Sequence, residues 1–199
     1  MARSATSRPR VPRIGLTGGI ACGKSLFLRE LEARGFATLD ADDIVHELVP
    51  AEERRRLAAR VFADAGARRA LEARIHPVVR ARIAAWFAGG EDSCARGGAG
   101  PRVAAVPLLY EAGWEDDFDV VACVVSSHSA QIERLVSKRG MTHAEAESRM
   151  AAQLDPAEKA ARSDWPVSND GSPEELSARA DEFVRWVAAG CPPRKIEKT

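Results

Sequence analysis

The sequence predicts a three-layer α/β fold, in which helices cover both faces of a parallel sheet. Two continuous apolar runs, at residues 103–106 and 120–125, are typical of strands that are buried on both faces. A third apolar segment, at residues 13–17, leads directly into a glycine-rich loop and then an amphipathic helical pattern at residues 26–31. Because strand and helix patterns alternate along the chain, we expect parallel strands joined by helical crossovers.

The glycine-rich loop at residues 18–25 matches the pattern G-x-x-x-x-G-K-[ST], which binds phosphate groups. A strand before the loop and a helix after it are the context that this motif requires. Successive backbone N–H groups and the positive end of the helix can then face phosphate oxygens. We expect Lys24 to contact the β- and γ-phosphates of a nucleotide and the Ser25 hydroxyl to bind Mg²⁺. The alternative is an ordinary glycine-rich turn before a helix.

Helical patterns dominate the segment that follows a second short strand at residues 37–40. They cover residues 41–48, 51–65, 67–75 and 78–87. A kink is expected at His76 and Pro77, because proline lacks the N–H that a helix interior uses. The glycine-rich segment at residues 89–101 is predicted to be a surface loop.

Two capping patterns mark helices in the C-terminal part. Thr142 and Glu145 form a capping box that opens a helix predicted to reach about Leu154. Ser172, followed by Pro173, is predicted to be the N-cap of the final helix. The other elements are a helix and a weak strand, at residues 132–138 and 165–167.

The composition indicates one globular domain. The chain has 199 residues, of which 45% are hydrophobic and 29% charged. We expect neither a nucleic-acid nor a membrane partner, because the net charge is zero and no apolar run reaches membrane-spanning length. The domain is predicted at residues 13–189, between a disordered tail at residues 1–12 and a C-terminal tail at residues 190–199. The oligomeric state stays open.

The four cysteines have neither a C-x-x-C spacing nor the spacing of a disulfide framework. We therefore expect a reducing compartment, the cytoplasm. Cys22 lies inside the phosphate-binding loop, near a helix N-terminus that is expected to lower the pKa of its thiol. That position predicts alkylation that MgATP blocks, and the alternative is a buried, inert thiol.

Two carboxylates follow the second strand. In an open parallel sheet, ligands bind outside the carboxyl ends of the strands, so Asp40 and Asp42 are expected in the same crevice as the phosphate loop. A carboxylate there can take the proton of an acceptor hydroxyl or hold Mg²⁺. The alternative is N-capping of the next helix, and the two interpretations are compatible for different members of the pair.

Two further groups of residues are candidates. The segment at residues 107–111 follows the third strand and ends in an aromatic residue and an acid, which suits either an acceptor pocket or buried loop packing. Arg134, Arg139 and Arg149 lie where the fold closes over a nucleotide, and arginine binds phosphoryl oxygens bidentately. Solvated surface arginine is the alternative for each.

Several blocks, in a fixed order, resemble the dephospho-CoA kinase family from Arg13 to about Trp186. They are residues 14–20 (IGLTGGI), 23–25 (GKS), 40–42 (DAD), 76–80 (HPVVR), 106–111 (VPLLYE), 149–153 (RMAAQ) and 169–172 (NDGS). The chain lacks the N-K-x-D and D-x-x-G motifs of GTPases and the H-R-D and D-F-G motifs of protein kinases. The phosphate loop alone indicates only nucleotide binding, whereas the ordered combination is far more specific.

The resemblance implies a P-loop NTPase fold with a helical acceptor-binding part at about residues 43–88 and a small lid at about residues 138–156. It implies transfer of the γ-phosphate of ATP, with Mg²⁺, to the 3′-hydroxyl of dephospho-CoA, the last step of coenzyme A synthesis. Asp42 then matches the catalytic base. Lys24, Arg139 and Arg149 complete the implied catalytic set.

The resemblance also implies two sets of binding residues. For ATP these are Gly18, Gly19, Ala21, Cys22, Gly23, Lys24, Ser25, Leu26, Asn169 and Gly171, with Ser25 as the metal ligand and Asn169 and Gly171 at the adenine edge. For the acceptor they are Asp42, His76, Arg80, Pro107, Leu108, Leu109, Tyr110 and Glu111.

The chain departs from the family pattern at three places. Cys22 stands where the family has a small Ser or Gly, and Leu26 stands where it has Thr. The segment between Val49 and Arg54 is shorter than is typical, on the side that embraces the acceptor. The alternatives are therefore a P-loop kinase for another small hydroxyl compound, such as a nucleoside, or a nucleotide-binding protein without catalysis.

Overall fold

The computed structural model describes residues 11–50, 52, 65–94 and 100–192. It contains a five-stranded parallel sheet in the order β2-β3-β1-β4-β5. The strands are β1 (Arg13–Gly18), β2 (Ala37–Asp40), β3 (Arg102–Ala105), β4 (Val120–Val125) and β5 (Trp165–Ser168). Most of the predicted N-terminal tail, most of the predicted C-terminal tail and most of the helical pattern predicted at residues 51–65 lie outside the described residues.

Seven helices connect or flank these strands in the described part of the chain. They are α1 (Lys24–Glu32), α2 (Ala41–Leu48), α3 (Ala65–Cys94), α4 (His128–Arg139), α5 (His143–Ala151), α6 (Pro156–Arg162) and α7 (Pro173–Ala188). A short 3₁₀ turn spans Glu115–Asp117. None of the described helices is long and apolar enough to cross a bilayer.

The helices form layers on both faces of the sheet, as the sequence predicts. On one face, Phe27 of α1 and Phe183 of α7 are fully buried, and their rings pack edge to face at 5.9 Å. On the other face, Val79, Ile83 and Phe87 of α3 form a second buried cluster. Neighbouring residues of one strand alternate between the two clusters, so the strands are covered on both sides.

The central strand β1 positions the phosphate loop. It pairs with β3 on one side and with β4 on the other, with Gly15 in register with Ala104 and Val121. Its carboxyl end therefore lies in the middle of the sheet edge where the loop begins, the usual place for a ligand in such sheets. The edge strand β5 carries Pro166, which is exposed.

Two predicted boundaries were wrong. The helix α3 runs through Pro77 and continues to Cys94, where a loop beginning at residue 89 was predicted. Extending a helix needs no new nucleus, which offsets the penalty of about 1 kcal/mol for each glycine. The helix α5 ends at Ala151 rather than near Leu154. The predicted capping box at Thr142 and the predicted N-cap Ser172 are confirmed, and Ser172 also forms a capping box with Glu175.

Candidate active site

The glycines of the phosphate loop (residues 18–25) allow close approach of the rest of the chain. A Cβ atom on Gly18 would lie 2.5 Å from the carbonyl oxygen of Val124. Gly23, the residue before α1, has φ of 93°, and a Cβ atom there would lie 2.0 Å from Nδ2 of Asn169. Only glycine satisfies both the left-handed backbone and the contact at position 23.

Two amide side chains hold carbonyl oxygens of the phosphate loop. Gln131 of α4 donates through Nε2 to the carbonyl of Ile20, at 2.7 Å. Asn169, which follows β5, donates through Nδ2 to the carbonyl of Cys22, also at 2.7 Å. Both amides are buried, so these bonds are shielded from competing water. These two hydrogen bonds hold the carbonyl groups of the loop in place. Arg134 also donates to the carbonyl of Ala21, at 3.1 Å, and is the third side chain that supports the loop through a carbonyl group.

The N–H groups of the loop, by contrast, are available to a ligand. Within the described ranges, no hydrogen bond involves the N–H groups of Ala21, Gly23, Lys24 and Ser25. Free N–H groups at a helix N-terminus bind phosphate well.

Asp40 and Asp42 have different surroundings. Oδ2 of Asp40 lies 3.3 Å from Nζ of Lys24, and Oδ1 accepts the backbone N–H of Asp42 at 3.1 Å. Asp40 is the N-cap of α2, so the capping interpretation is confirmed for this residue. Asp42 is exposed in the cleft. Partial loss of solvent and then the neighbouring Asp40 carboxylate raise the pKa of Asp42.

These groups line a cleft of about 680 Å³ along the phosphate loop, which we call the phosphate cleft. The predicted site residues that line it are Gly18, Gly19, Ala21, Gly23, Lys24, Ser25, Leu26, Asp42, Pro107, Arg139, Asn169 and Gly171. The cleft therefore brings together the implied ATP residues, with one exception, and the implied base.

The exception is Cys22, whose thiol is fully buried. Burial raises the pKa of the Cys22 thiol, so the predicted lowering by the helix terminus was wrong. Loss of solvent outweighs hydrogen bonds with the backbone at Ser126 and Gly19 and the nearby cations Arg134 and Lys159. The structure favours the alternative of an inert thiol.

A second cavity, of about 340 Å³, adjoins the phosphate cleft, and we call it the side cavity. Four predicted residues line it, namely His76, Leu108, Glu111 and Arg149. Ile20 and Gln153 line both cavities, and Oε1 of Gln153 accepts the N–H of Ile20 at 2.8 Å. The two cavities thus share a hydrogen-bonded pair of lining residues.

Comparison with known proteins identifies the family. The sequence model of CoaE, dephospho-CoA kinase, matches residues 13–55 and 51–175. The chain belongs to the dephospho-CoA kinase family. It is 41% identical to a dephospho-CoA kinase of Anaeromyxobacter dehalogenans, over 89% of this chain and 92% of that relative. It is 37% identical to one of Geobacter sulfurreducens, over 85% and 95% of the two chains.

Solved structures share the fold. The chain is similar to TT1252 from Thermus thermophilus, with a TM-score of 0.69 and 30% identity over 86% of this chain and 95% of that one. A dephospho-CoA kinase from Campylobacter jejuni shares the fold, with a TM-score of 0.64 and 22% identity over 89% and 98%. The two matches to the dephospho-CoA kinase model overlap at residues 51–55, in the region of the short segment between Val49 and Arg54.

Three residues that the dephospho-CoA kinase resemblance places at the acceptor lie outside both cavities. Leu109 and Tyr110 are buried in the core between the sheet and α3. Arg80 pairs with Asp117, at 2.6 Å, in a third cavity of about 490 Å³. Two consecutive residues of segment 107–111 thus face the core, which the alternative of buried loop packing anticipates. His76 lines both the side cavity and this third one.

Sequence reasoning missed several polar residues of this dephospho-CoA kinase site. Gln131 and Lys159 are buried and bond to the phosphate loop and to segment 107–111, respectively. A helical polar residue carries no mark of its tertiary partner, so no local pattern distinguishes these two from surface positions. Gln153 lies in a block that the resemblance includes, and that block could have suggested it.

Proposed function

We propose that this chain transfers the γ-phosphate of ATP to the 3′-hydroxyl of dephospho-CoA, giving coenzyme A and ADP. Its membership of the dephospho-CoA kinase family supports the reaction. One observation carries the assignment of roles: Asp42 lines the phosphate cleft with Lys24 and Ser25, whereas the two oxygens of Asp40 already accept hydrogen bonds from Lys24 and from the Asp42 N–H.

ATP binds in the phosphate cleft in this proposal, with its phosphates on the free N–H groups of the loop. Lys24 exchanges part of its contact with Asp40 for the β- and γ-phosphate oxygens. Arg139, which lines the same cleft, adds positive charge where the transferred group becomes most negative. Gly171 lines the end of the cleft beside Asn169, where the adenine edge is proposed.

Asp42 is the proposed general base. It accepts the proton of the 3′-hydroxyl as the hydroxyl oxygen attacks the γ-phosphorus and ADP leaves. A base works best when its pKa approaches the operating pH, and the raised pKa of Asp42 moves it in that direction.

The oxygen ligands of the phosphate cleft fit Mg²⁺. This ion prefers oxygen ligands and keeps several of its positions for water and substrate phosphates. Ser25 is exposed in the first turn of α1 and lines the cleft, as does Asp42. We assign Ser25 as the protein ligand. When bound, the ion neutralises phosphate charge.

The acceptor occupies the side cavity in this proposal. His76, Leu108 and Glu111 line it, and Arg149 enters it from the proposed lid. Because the side cavity adjoins the phosphate cleft at Gln153, an acceptor there can present a hydroxyl to the γ-phosphate. Arg80 remains a proposed acceptor contact. It lines the third cavity, and His76 lines both that cavity and the side cavity.

Release of ADP tests the proposal directly. The purified chain is assayed with MgATP and dephospho-CoA, with nucleosides, and without an acceptor, and mass spectrometry locates the added phosphate. We expect turnover with dephospho-CoA and a 3′-phosphate in the product. Faster turnover with a nucleoside would favour the other kinase alternative, and ATP binding without turnover would favour the non-catalytic one.

A cytoplasmic location is part of the same proposal. The described cysteines Cys22, Cys123 and Cys191 are free thiols, which suits a reducing compartment. Cell fractionation tests it, and recovery of the enzyme outside the cytoplasmic fraction would contradict it.

A further inference from the structure

Lys159 of α6 is a fully buried cation. Its Nζ lies 2.6 Å from Oε1 of Glu111 and 3.4 Å from the carbonyl oxygen of Pro107. Burial of an ammonium group is strongly unfavourable unless the charge is paired, and removal of one partner leaves the other uncompensated. The ion pair therefore holds α6 and the segment at residues 107–111 in one relative position.

The two partners of Lys159 are the two ends of that segment, and each end has a second anchor. The carbonyl of Pro107 also accepts the hydroxyl of Thr17, at 3.1 Å, immediately before the phosphate loop. Oε1 of Glu111 also accepts the N–H of Leu154, at 3.1 Å, at the end of the proposed lid. The two atoms that Lys159 contacts are therefore also the atoms through which the segment bonds to β1 and to the lid.

The same segment lines both cavities of the site. Pro107 lines the phosphate cleft, and Leu108 and Glu111 line the side cavity. Lys159 has no exposed surface, so any effect on a substrate must act through the segment. Only Oε1 of Glu111 takes part in hydrogen bonds to the described residues, and Oε2 makes none with them.

We propose that Lys159 is a positioning residue for the acceptor. Its charge holds Glu111 by one carboxylate oxygen and leaves the other for a hydrogen-bond donor of the acceptor, such as a hydroxyl or amide group. Lys159 therefore sets acceptor affinity, whereas ATP affinity depends on the separate supports beneath the phosphate loop. This inference rests on the proposed function.

Substitution of Lys159 by methionine tests the proposal, because methionine keeps the length of the side chain and removes the charge. We expect the KM for dephospho-CoA to rise about tenfold, which is within the range of coupling between contacting residues. The KM for ATP and kcat are expected to change less than about twofold. An equal rise of both KM values, or no rise for the acceptor, would overturn the proposal.

A double-mutant cycle separates positioning from a general loss of packing. E111Q is expected to raise the acceptor KM, and K159M added to E111Q is expected to raise it little further, because both act through the same carboxylate. K159R retains the charge and is expected to recover part of the affinity. R179M, which removes an exposed ion pair with Glu182 on α7, is the matched control. Additive effects of E111Q and K159M, or a control that behaves like K159M, would contradict the inference.

Amide hydrogen exchange provides a measurement that needs no acceptor. The N–H groups of Ala112, Gly113 and Trp114 bond back to Leu108, Tyr110 and Leu109. In K159M, we expect these amides to exchange at least about tenfold faster, with no change in β1 or α1. Unchanged exchange would refute the positioning role even if dephospho-CoA were not the substrate. Faster exchange in a chain without dephospho-CoA kinase activity would retain the positioning role and refute the proposed function.

Discussion

The ammonium group of Lys24 lies 3.3 Å from a carboxylate oxygen of Asp40, across the opening between the phosphate loop and the end of β2. The Lys24 side chain is only 10% exposed, and that of Asp40 is 18% exposed. The lysine is therefore held beside the loop before a nucleotide binds, and little of its freedom remains to be lost. Preorganised charge of this kind acts at the moment of reaction without reorganisation.

Replacement of Lys24 by alanine is expected to lower kcat by about a hundred- to a thousandfold. The loop should still fold, because Gln131, Arg134 and Asn169 support its carbonyl groups. Steady-state kinetics and thermal unfolding measure the two effects, with R179A as an exposed control. Turnover close to that of the unchanged enzyme would contradict the phosphate-loop assignment.

The two carboxylates after β2 are expected to respond differently to amidation. D42N should lower kcat by about a hundred- to ten thousandfold with little change in the KM for ATP, because Asp42 is the proposed base. D40N should instead lower the melting temperature and raise the KM for ATP, because it weakens the cap of α2 and releases Lys24. If D40N has the larger effect on kcat, the two roles are reversed.

The pH dependence of kcat tests the environment of Asp42. A base must be deprotonated, so activity is lost as the pH falls through its pKa in the complex with substrates. Because the Asp40 carboxylate contributes to the raised pKa of Asp42, D40N should move the acidic limb of the profile to lower pH. A limb that stays in place, or moves to higher pH, would mean that another group controls it.

Two glycines with left-handed backbones provide a matched comparison. G35A strains only the backbone, since φ is 84° and, apart from its chain neighbours, no atom of the described residues lies within 4 Å of the added Cβ. It should lower stability by about 1 kcal/mol. G23A adds a collision with Asn169 and should lower stability further and weaken ATP binding. Chemical denaturation and ATP titration measure both variants. Equal losses in the two would show that the contact with Asn169 is unimportant.

The short segment after Val49 lies mostly outside the described residues, but its length leads to a prediction about acceptor binding. Fewer residues are available to contact the pantetheine arm of dephospho-CoA, and such contacts contribute mainly uniform binding. We expect a raised KM for dephospho-CoA, an unexceptional kcat and little discrimination against acceptors truncated in the arm. Grafting a full-length family segment between Val49 and Arg54 should lower the KM. Tight binding of dephospho-CoA together with rejection of truncated acceptors would contradict this.

Local sequence patterns predicted most of the backbone near the site. The strand, loop and helix around Gly23 were predicted because glycine conformation and helix initiation depend on adjacent residues. N-capping by a member of the Asp40 and Asp42 pair was an alternative interpretation for the same reason, and Asp40 is the N-cap. The prediction for helix α3 ended too early. The last turns of α3 extend a helix that already exists, and the local composition does not indicate this extension.

Long-range contacts were the part that local patterns could not supply. Lys159 pairs with Glu111 across 48 positions of the chain, and Asn169 reaches Cys22 across 147. These residues come together only when the strands have assembled in their final order in the sheet. The direction of Leu109 and Tyr110 into the core has the same cause, since both faces of the segment are apolar in sequence.

The edge strands of the sheet also affect the tendency of the chain to aggregate. Both border strands, β2 and β5, are only four residues long, and β5 contains Pro166, whose nitrogen cannot donate a hydrogen bond. These edge strands are therefore poor templates for pairing with a strand of an unfolded or partly folded copy. The sheet that presents the phosphate loop is thus protected against edge-to-edge aggregation at the concentrations of a crowded cell.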